Sequence, residues 1–223
     1  MGTGIIVSYD GTSNDDDAIA LGKMLAGAGT ALALAYVRHS REFDPRREEL
    51  AQHDAERRLQ QGAALLGDPE IPQHIIVSAS TGEGLEQLAT AEQASVIVFG
   101  SDYRTSPGRS EPGATAQRLL EGGPVPIAVA SAGLRTRQEK AIESIAVFGT
   151  DPEPAATQTA EALAERFGAK LAALGAGGVD LIVVGSQPGS SPGRIALGGS
   201  ARSELNSARS SALILPSGVP VRL

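Results

Sequence analysis

The chain contains no cysteine, so disulfides, zinc–thiolate centres and thiol catalysis are excluded, and the composition is compatible with a reducing cytoplasm. Aromatic residues make up only 3% of its 223 residues, so the core must be assembled from Ala, Val, Ile and Leu. Lys and Arg number 19 against 26 Asp and Glu, and no basic stripe gathers them. A net charge of −7 with that distribution excludes broad contact with a phosphate backbone, so nucleic acid is not an expected partner. No apolar run approaches a membrane span, and Met1-Gly2-Thr3-Gly4 leads straight into a strand without a basic-then-apolar leader. The expectation is a soluble, cytoplasmic protein that engages neither membrane nor nucleic acid.

What is present is a series of short aliphatic runs alternating with amphipathic segments. Strands are expected at Ile5–Tyr9, Ala31–Val37, His74–Val77, Val96–Phe99 and Val125–Ala130. Helices are expected from Thr12, over Pro45–Leu66, over Gly84–Gln93 and over Thr115–Glu121. Continuous aliphatic strands separated by helices make an open parallel α/β sheet. The polar stretch after it supplies a linker, giving a complete domain at 1–133, a linker at 134–142 and a second domain at 143–223.

The second domain repeats the first in shortened form. Ile5-Ile6-Val7-Ser8-Tyr9-Asp10-Gly11-Thr12 recurs as Ile145-Ala146-Val147-Phe148-Gly149-Thr150. Ser95-Val96-Ile97-Val98-Phe99-Gly100-Ser101 recurs as Val179-Asp180-Leu181-Ile182-Val183-Val184-Gly185-Ser186. Ser-Pro-Gly-Arg follows both, at Ser106–Arg109 and Ser191–Arg194. Gly11 and Gly149 lie 138 positions apart but Gly100 and Gly185 only 85, so 53 residues are missing: a helix, a strand and a helix. If Lys170–Leu174 were a full second strand, the chain would have to return to the bottom of the sheet before Val179. Five steps span at most about 17 Å, and a parallel crossover normally takes about a dozen residues. The segment is therefore expected as a helix tail, an irregular edge piece or a strand paired in another way, in a second sheet three or four strands wide.

These motifs, with Gly113-Ala114-Thr115-Ala116-Gln117-Arg118-Leu119-Leu120 before Pro126-Ile127-Ala128-Val129, resemble the universal stress protein family in its tandem form. The resemblance implies two Rossmann-like, adenine nucleotide alpha hydrolase-like open parallel sheets, the first with strand order 3-2-1-4-5 and the second truncated. It implies an adenine nucleotide, ATP in the nucleotide-binding members, above the carboxyl ends of the strands, with no metal required. Carried over residue by residue, the cofactor-binding residues are Asp10 for the adenosine moiety with Gly11 and Thr12 following it, Val37 against the base, and Gly100, Ser101, Gly113, Ala114 and Thr115 along the phosphate motif. The family's phosphate motif is altered: Tyr103 and Pro188 stand where a second glycine belongs, and Ala114 and Gly199 replace a hydroxyl residue. Phe148 takes the place of Asp10 in the second copy, which leaves the first copy as the nucleotide-binding half. The implied role is a non-catalytic one in stress response, with at most weak ATP hydrolysis. Its expected partners are the two domains for each other through Val125–Ala130 and Ala212–Leu215, a homodimer, or another protein. The alternative is a purely structural, protein-interaction role with no nucleotide.

Other constellations point less far. Ser8 to Ala18 is similar to the calcium-binding amino terminus of nucleoside hydrolases, but Ser8 and Asn14 stand where carboxylates are expected, and acidic residues at a helix start need no metal. A haloacid-type phosphatase would need its nucleophilic carboxylate at Ser8. His39, His53 and His74 share no ligand spacing. Arg104, Arg109 and Arg194 lie in equivalent loops, where they are either solvated or set toward an anion. The run Arg41–Arg58 alternates in charge and reads as a solvent or partner face.

Overall fold

The computed structural model describes residues 4–27, 29–39, 43–137, 141–149, 151–173 and 178–223. In chain order the elements are β1 (Ile5–Ser8), α1 (Ser13–Ala26), β2 (Leu32–Arg38), α2 (Pro45–Leu66), β3 (Gln73–Val77), α3 (Thr81–Ala91), β4 (Val96–Phe99), α4 (Ala114–Leu119) and β5 (Ile127–Val129). After a 3-10 turn at Leu134–Thr136 come β6 (Ser144–Val147), α5 (Pro154–Phe167), β7 (Lys170–Leu171), β8 (Leu181–Val184), α6 (Gly199–Ser207) and β9 (Ser211–Ile214). Local chemistry sets several boundaries. Asp44 caps α2 by accepting from Arg46 N, with Pro45 in the first turn, and Gly67 ends it in a left-handed conformation. Ser80 accepts from Glu83 N and starts α3 at Thr81, ahead of the expected Gly84.

The expectation of two parallel sheets is corrected by a single nine-stranded one, in the order β3-β2-β1-β4-β5-β9-β8-β6-β7. Its halves join where β5 and β9 run antiparallel, with Ile127 opposite Ile214, Ala128 opposite Leu213 and Val129 opposite Ala212. Every other named strand pairing is parallel. The physical reason is that β5 and β9 would each end an open sheet with unpaired N–H and C=O groups, and each satisfies the other's edge. The cores are shared as well. Ile5, Val7, Leu25 and Leu59 cluster with Leu163, Leu181 and Leu213 on one face, and Ile6, Leu85 and Ile97 with Ile182, Leu205 and Ile214 on the other.

Lys170–Leu174 also departs from expectation. Lys170 and Leu171 form an ordinary parallel neighbour of β6, opposite Ser144 and Ile145. Lys170 N and Ala172 N donate to Glu143 O and Ile145 O, each at 2.8 Å. The strand stops after two residues, level with Ile145, which is itself level with Leu181 at the start of β8. The end of β7 thus lies level with the start of β8, so no full return from the top of the sheet to its bottom is required. Residues 174–177 of the connection, with Leu174 at the end of the expected segment, lie outside the described residues.

The linker expected at 134–142 begins as part of the first half. Leu134 is buried, and Gly133 N and Arg135 N donate to the carboxylate of Asp17 in α1 at 2.7 and 2.8 Å. Residues 138–140 lie outside the described set. Among the described residues no helix is long and apolar enough to cross a membrane.

Candidate functional site

β1 and β4 are neighbours, but the segment after β1 enters α1 on one face of the sheet while that after β4 leads to α4 on the other. The divergence opens a crevice beyond their carboxyl ends, where ligands bind in open α/β sheets. A cavity of about 420 Å³ lies there. It brings together Asp10, Thr12, Val37, Gly100, Ser101, Gly113, Ala114 and Thr115; of the predicted site residues only Gly11 is absent from its lining. Gly11 instead makes the turn above β1 with φ of +91°, a left-handed conformation that favours glycine, and Gly149 repeats it at +100°.

Several predicted residues have structural duties that their motif does not reveal. A Cβ on Gly100 would lie 2.1 Å from the Asn14 carbonyl oxygen, so this glycine is required by the approach of α1 to β4. Asn14 Nδ2 fastens the same contact by donating to Ser101 O at 2.8 Å. Ser101 is buried, and its hydroxyl donates to Ala130 O at 2.6 Å while accepting from Glu111 N at 3.2 Å. The second half reproduces this arrangement: Ser186 Oγ donates to Leu215 O at 2.7 Å and accepts from Ala196 N at 3.0 Å. Thr115 is half-buried in the first turn of α4, and a Cβ on Gly113 would meet only Asp102 Cα, at 4.0 Å.

The acidic run after β1 is divided among separate tasks. Asp15 Oδ2 accepts from Asp10 N at 3.0 Å and Thr12 Oγ1 at 2.9 Å, tying the turn to the first turn of α1. Burial pushes the Asp15 carboxyl up to about 8; its contact with Asp10 adds to the rise, and the bonds from Asp10 N and Thr12 oppose it. Asp16 accepts from the buried Tyr9 hydroxyl at 3.3 Å, and burial followed by the Asp16 charge raises the Tyr9 pKa. Asp17 faces the turn after β5. Among the described residues no three His, Cys, Asp or Glu side chains converge as a metal site.

Sequence reasoning missed part of the wall. Arg58 of α2 lines the cavity, donates to Asp10 O, pairs with Asp54 at 2.8 Å and stands 5.7 Å above the Tyr36 ring. It lies inside the alternating charged run Arg41–Arg58, which the sequence presents as a solvent or partner face. Its signal was its place beside Leu59 in the buried stripe of Ala55, Leu59, Gly62 and Ala63. His39 and Thr81 close the same side, their side chains 3.5 Å apart. Tyr103 lines the mouth yet is 73% exposed, with the Arg104 guanidinium 4.9 Å above its ring, so it does not fill the cavity.

A solved universal stress protein from Archaeoglobus fulgidus DSM 4304 matches with TM-score 0.68 at 12% identity, over 98% of this chain and 100% of the other. A functionally unknown protein from Pseudomonas aeruginosa PAO1 matches with TM-score 0.64 at 15% identity, over 96% and 93%. At these identities the likeness shows the fold alone. No curated protein sequence matches the chain. The model of the universal stress protein family matches residues 2–131, more than half of the chain. The chain therefore belongs to the universal stress protein family.

Proposed function

We propose that this is a non-catalytic stress-response protein with one degenerate adenine-nucleotide site in its first half, the second half being a shortened copy that completes the sheet. The observation that carries this reading is the gathering of Asp10, Val37, Gly100, Gly113, Ala114 and Thr115 around one crevice of about 420 Å³, within the ~300–1,000 Å³ of small-molecule sites. Phe148 stands at the position equivalent to Asp10, so the second half offers packing in place of a polar contact. Binding through a carboxylate and backbone groups requires no metal. Turnover is not expected, since the buried Ser101 hydroxyl is committed to Ala130 O and His39 is paired only with Thr81 among the described residues. The cytoplasm is the proposed compartment. A second reading, protein interaction without a nucleotide, is favoured by the exposed Tyr103 at the cavity mouth; a second copy of the chain or another protein would be the partner.

Isothermal titration with ATP, ADP, AMP and cyclic AMP, with and without magnesium, tests the nucleotide reading. Binding by the wild type that Asp10→Ala weakens at least tenfold is the expected outcome. Absence of heat and of any thermal shift with all four would leave the interaction reading in its place.

A further inference from the structure

The helix α1 carries two stripes. Leu21, Gly22 and Leu25 belong to the one buried against the sheet. Beside it Asp16, Ala20, Lys23 and Met24 recur at the three- and four-residue spacing that puts side chains on one helix face. This second stripe, the last turn of α2 at Leu65 and the 3-10 turn at Leu134–Thr136 bound a cavity of about 350 Å³. Asp17 ties the turn to α1 by accepting from Gly133 N and Arg135 N, so that wall is fixed. The space is separate from the crevice beyond β1 and β4, with which it shares no lining residue.

The lining divides by chemistry. Ile19, Ala20, Met24, Leu65 and Leu134 make it apolar, and Leu65 leaves 51% of its surface exposed there. Lys23, Arg135 and Arg137 stand around them against a single acid, Asp16, which accepts from the Tyr9 hydroxyl at 3.3 Å. On a chain of net charge −7 this is a local reversal of sign. The cations are only partly engaged. Lys23 Nζ donates to Leu66 O at 3.1 Å, which uses one of its three protons. Arg135 spends Nη1 on Ser13 O and Asp17. Arg137 is the least committed: its Nη1 lies 4.0 Å from Asp180 Oδ1, beyond hydrogen-bonding distance. Asp180 Oδ2 already accepts from Glu143 N, Ser144 N and Ser144 Oγ.

An apolar space with a few charged groups converging on it has the make-up of a small-molecule site, and its volume lies within the ~300–1,000 Å³ of that class. We propose that this cavity binds an amphipathic carboxylate, with an aliphatic chain against Ile19, Met24, Leu65 and Leu134 and the head group against the cations of the wall. Three cations facing one acid suit a single negative charge, and a guanidinium fork matches a carboxylate in shape. The apolar lining excludes water from the chain, and burial of each methylene supplies affinity that a short carboxylate lacks. The proposal stands independently of the nucleotide reading, because no residue of the crevice takes part in it.

The test is calorimetric titration of the full chain with hexanoate, octanoate and octanol at low ionic strength, repeated on Arg137→Gln and Met24→Glu, with the folded state of each protein checked by its unfolding transition. Octanoate should bind about tenfold more tightly than hexanoate, as two further buried methylenes require, and roughly fivefold more tightly than octanol, which lacks the charge. Arg137→Gln should weaken octanoate roughly threefold and leave octanol unchanged. Met24→Glu, which sets a second acid on the wall, should weaken octanoate about tenfold. Failure of octanoate to bind the folded wild type, octanol binding as tightly as octanoate, or octanoate binding that both variants leave unchanged would overturn the proposal. Sedimentation of the same proteins supplies the remaining outcome: a dimer that Met24→Glu dissociates and octanoate leaves intact would assign the cavity to a second copy of the chain and likewise overturn it.

Discussion

Asp17, on the first helix, holds Gly133, at the turn beyond the fifth strand: its carboxylate accepts from Gly133 N at 2.7 Å, and also from Arg135 N and Arg135 Nη1, each at 2.8 Å. The carboxylate is fully buried, so these bonds replace its lost hydration. Asp17→Ala leaves two backbone donors and a guanidinium without their acceptor, and should cost about 2–4 kcal/mol. Arg135→Ala removes a partly exposed partner and leaves the backbone bonds, so it should cost about 1 kcal/mol or less. Urea unfolding of the two variants checks the ranking; equal losses would mean that the ion pair dominates.

Gly100 and Gly113 belong to the same family motif but have different physical reasons for being glycine. Gly100→Ala places a Cβ against the Asn14 backbone, whereas Gly113 has φ of −68° and no neighbour closer than 4.0 Å. The first substitution should destabilise by about 2 kcal/mol or more, and the second should stay within about 0.5 kcal/mol. Thermal unfolding distinguishes them.

Ser101 and Ser186 hold matching bridges in the two halves, to Ala130 O and Leu215 O. Ser101→Ala and Ser186→Ala should each cost about 1–2 kcal/mol, and the double variant should lose roughly the sum, as expected for well-separated sites. A double variant no worse than either single one would contradict equivalent, independent bridges.

Asp15 makes stability depend on pH in an uncommon direction. Its folded pKa, about 8, lies above the ordinary 3.8, so the folded state holds more protons than the unfolded state between those values. Stability from this group therefore falls as pH rises from 4 toward 8. Unfolding midpoints measured between pH 5 and pH 8 should decline less steeply in Asp15→Asn than in the wild type.

The aliphatic runs and the Leu/Ala stripe over Pro45–Leu66 were enough to place strands and helices, because burial on both faces imposes those patterns locally. What escaped depends on contacts distant in sequence. That the last strands of the two halves meet was expected from the family resemblance, not from Ile127–Val129 or Ser211–Ile214 themselves, and the antiparallel register that merges the halves into one sheet depends on contacts between them. Ala172 and Ala173 look as strand-like as Lys170 and Leu171, and the early end of β7 follows from its partner. In the site, the motif located the crevice but not its chemistry. The same Gly-Ser sequence serves a phosphate or a structural bridge, and only the position of Ala130 O, 29 residues away, determines that the Ser101 hydroxyl is spent. Arg58 was hidden because a charged residue beside a buried stripe reads as solvent-facing until the strand end beneath it is known.

The most direct test of a single site, confined to the first half, is the stoichiometry of ATP binding by equilibrium dialysis at saturation, on the wild type and on Asp10→Ala. One ATP per chain, lost or weakened at least tenfold in Asp10→Ala, is the expected result. Two per chain, or binding that Asp10→Ala leaves unchanged, would contradict it.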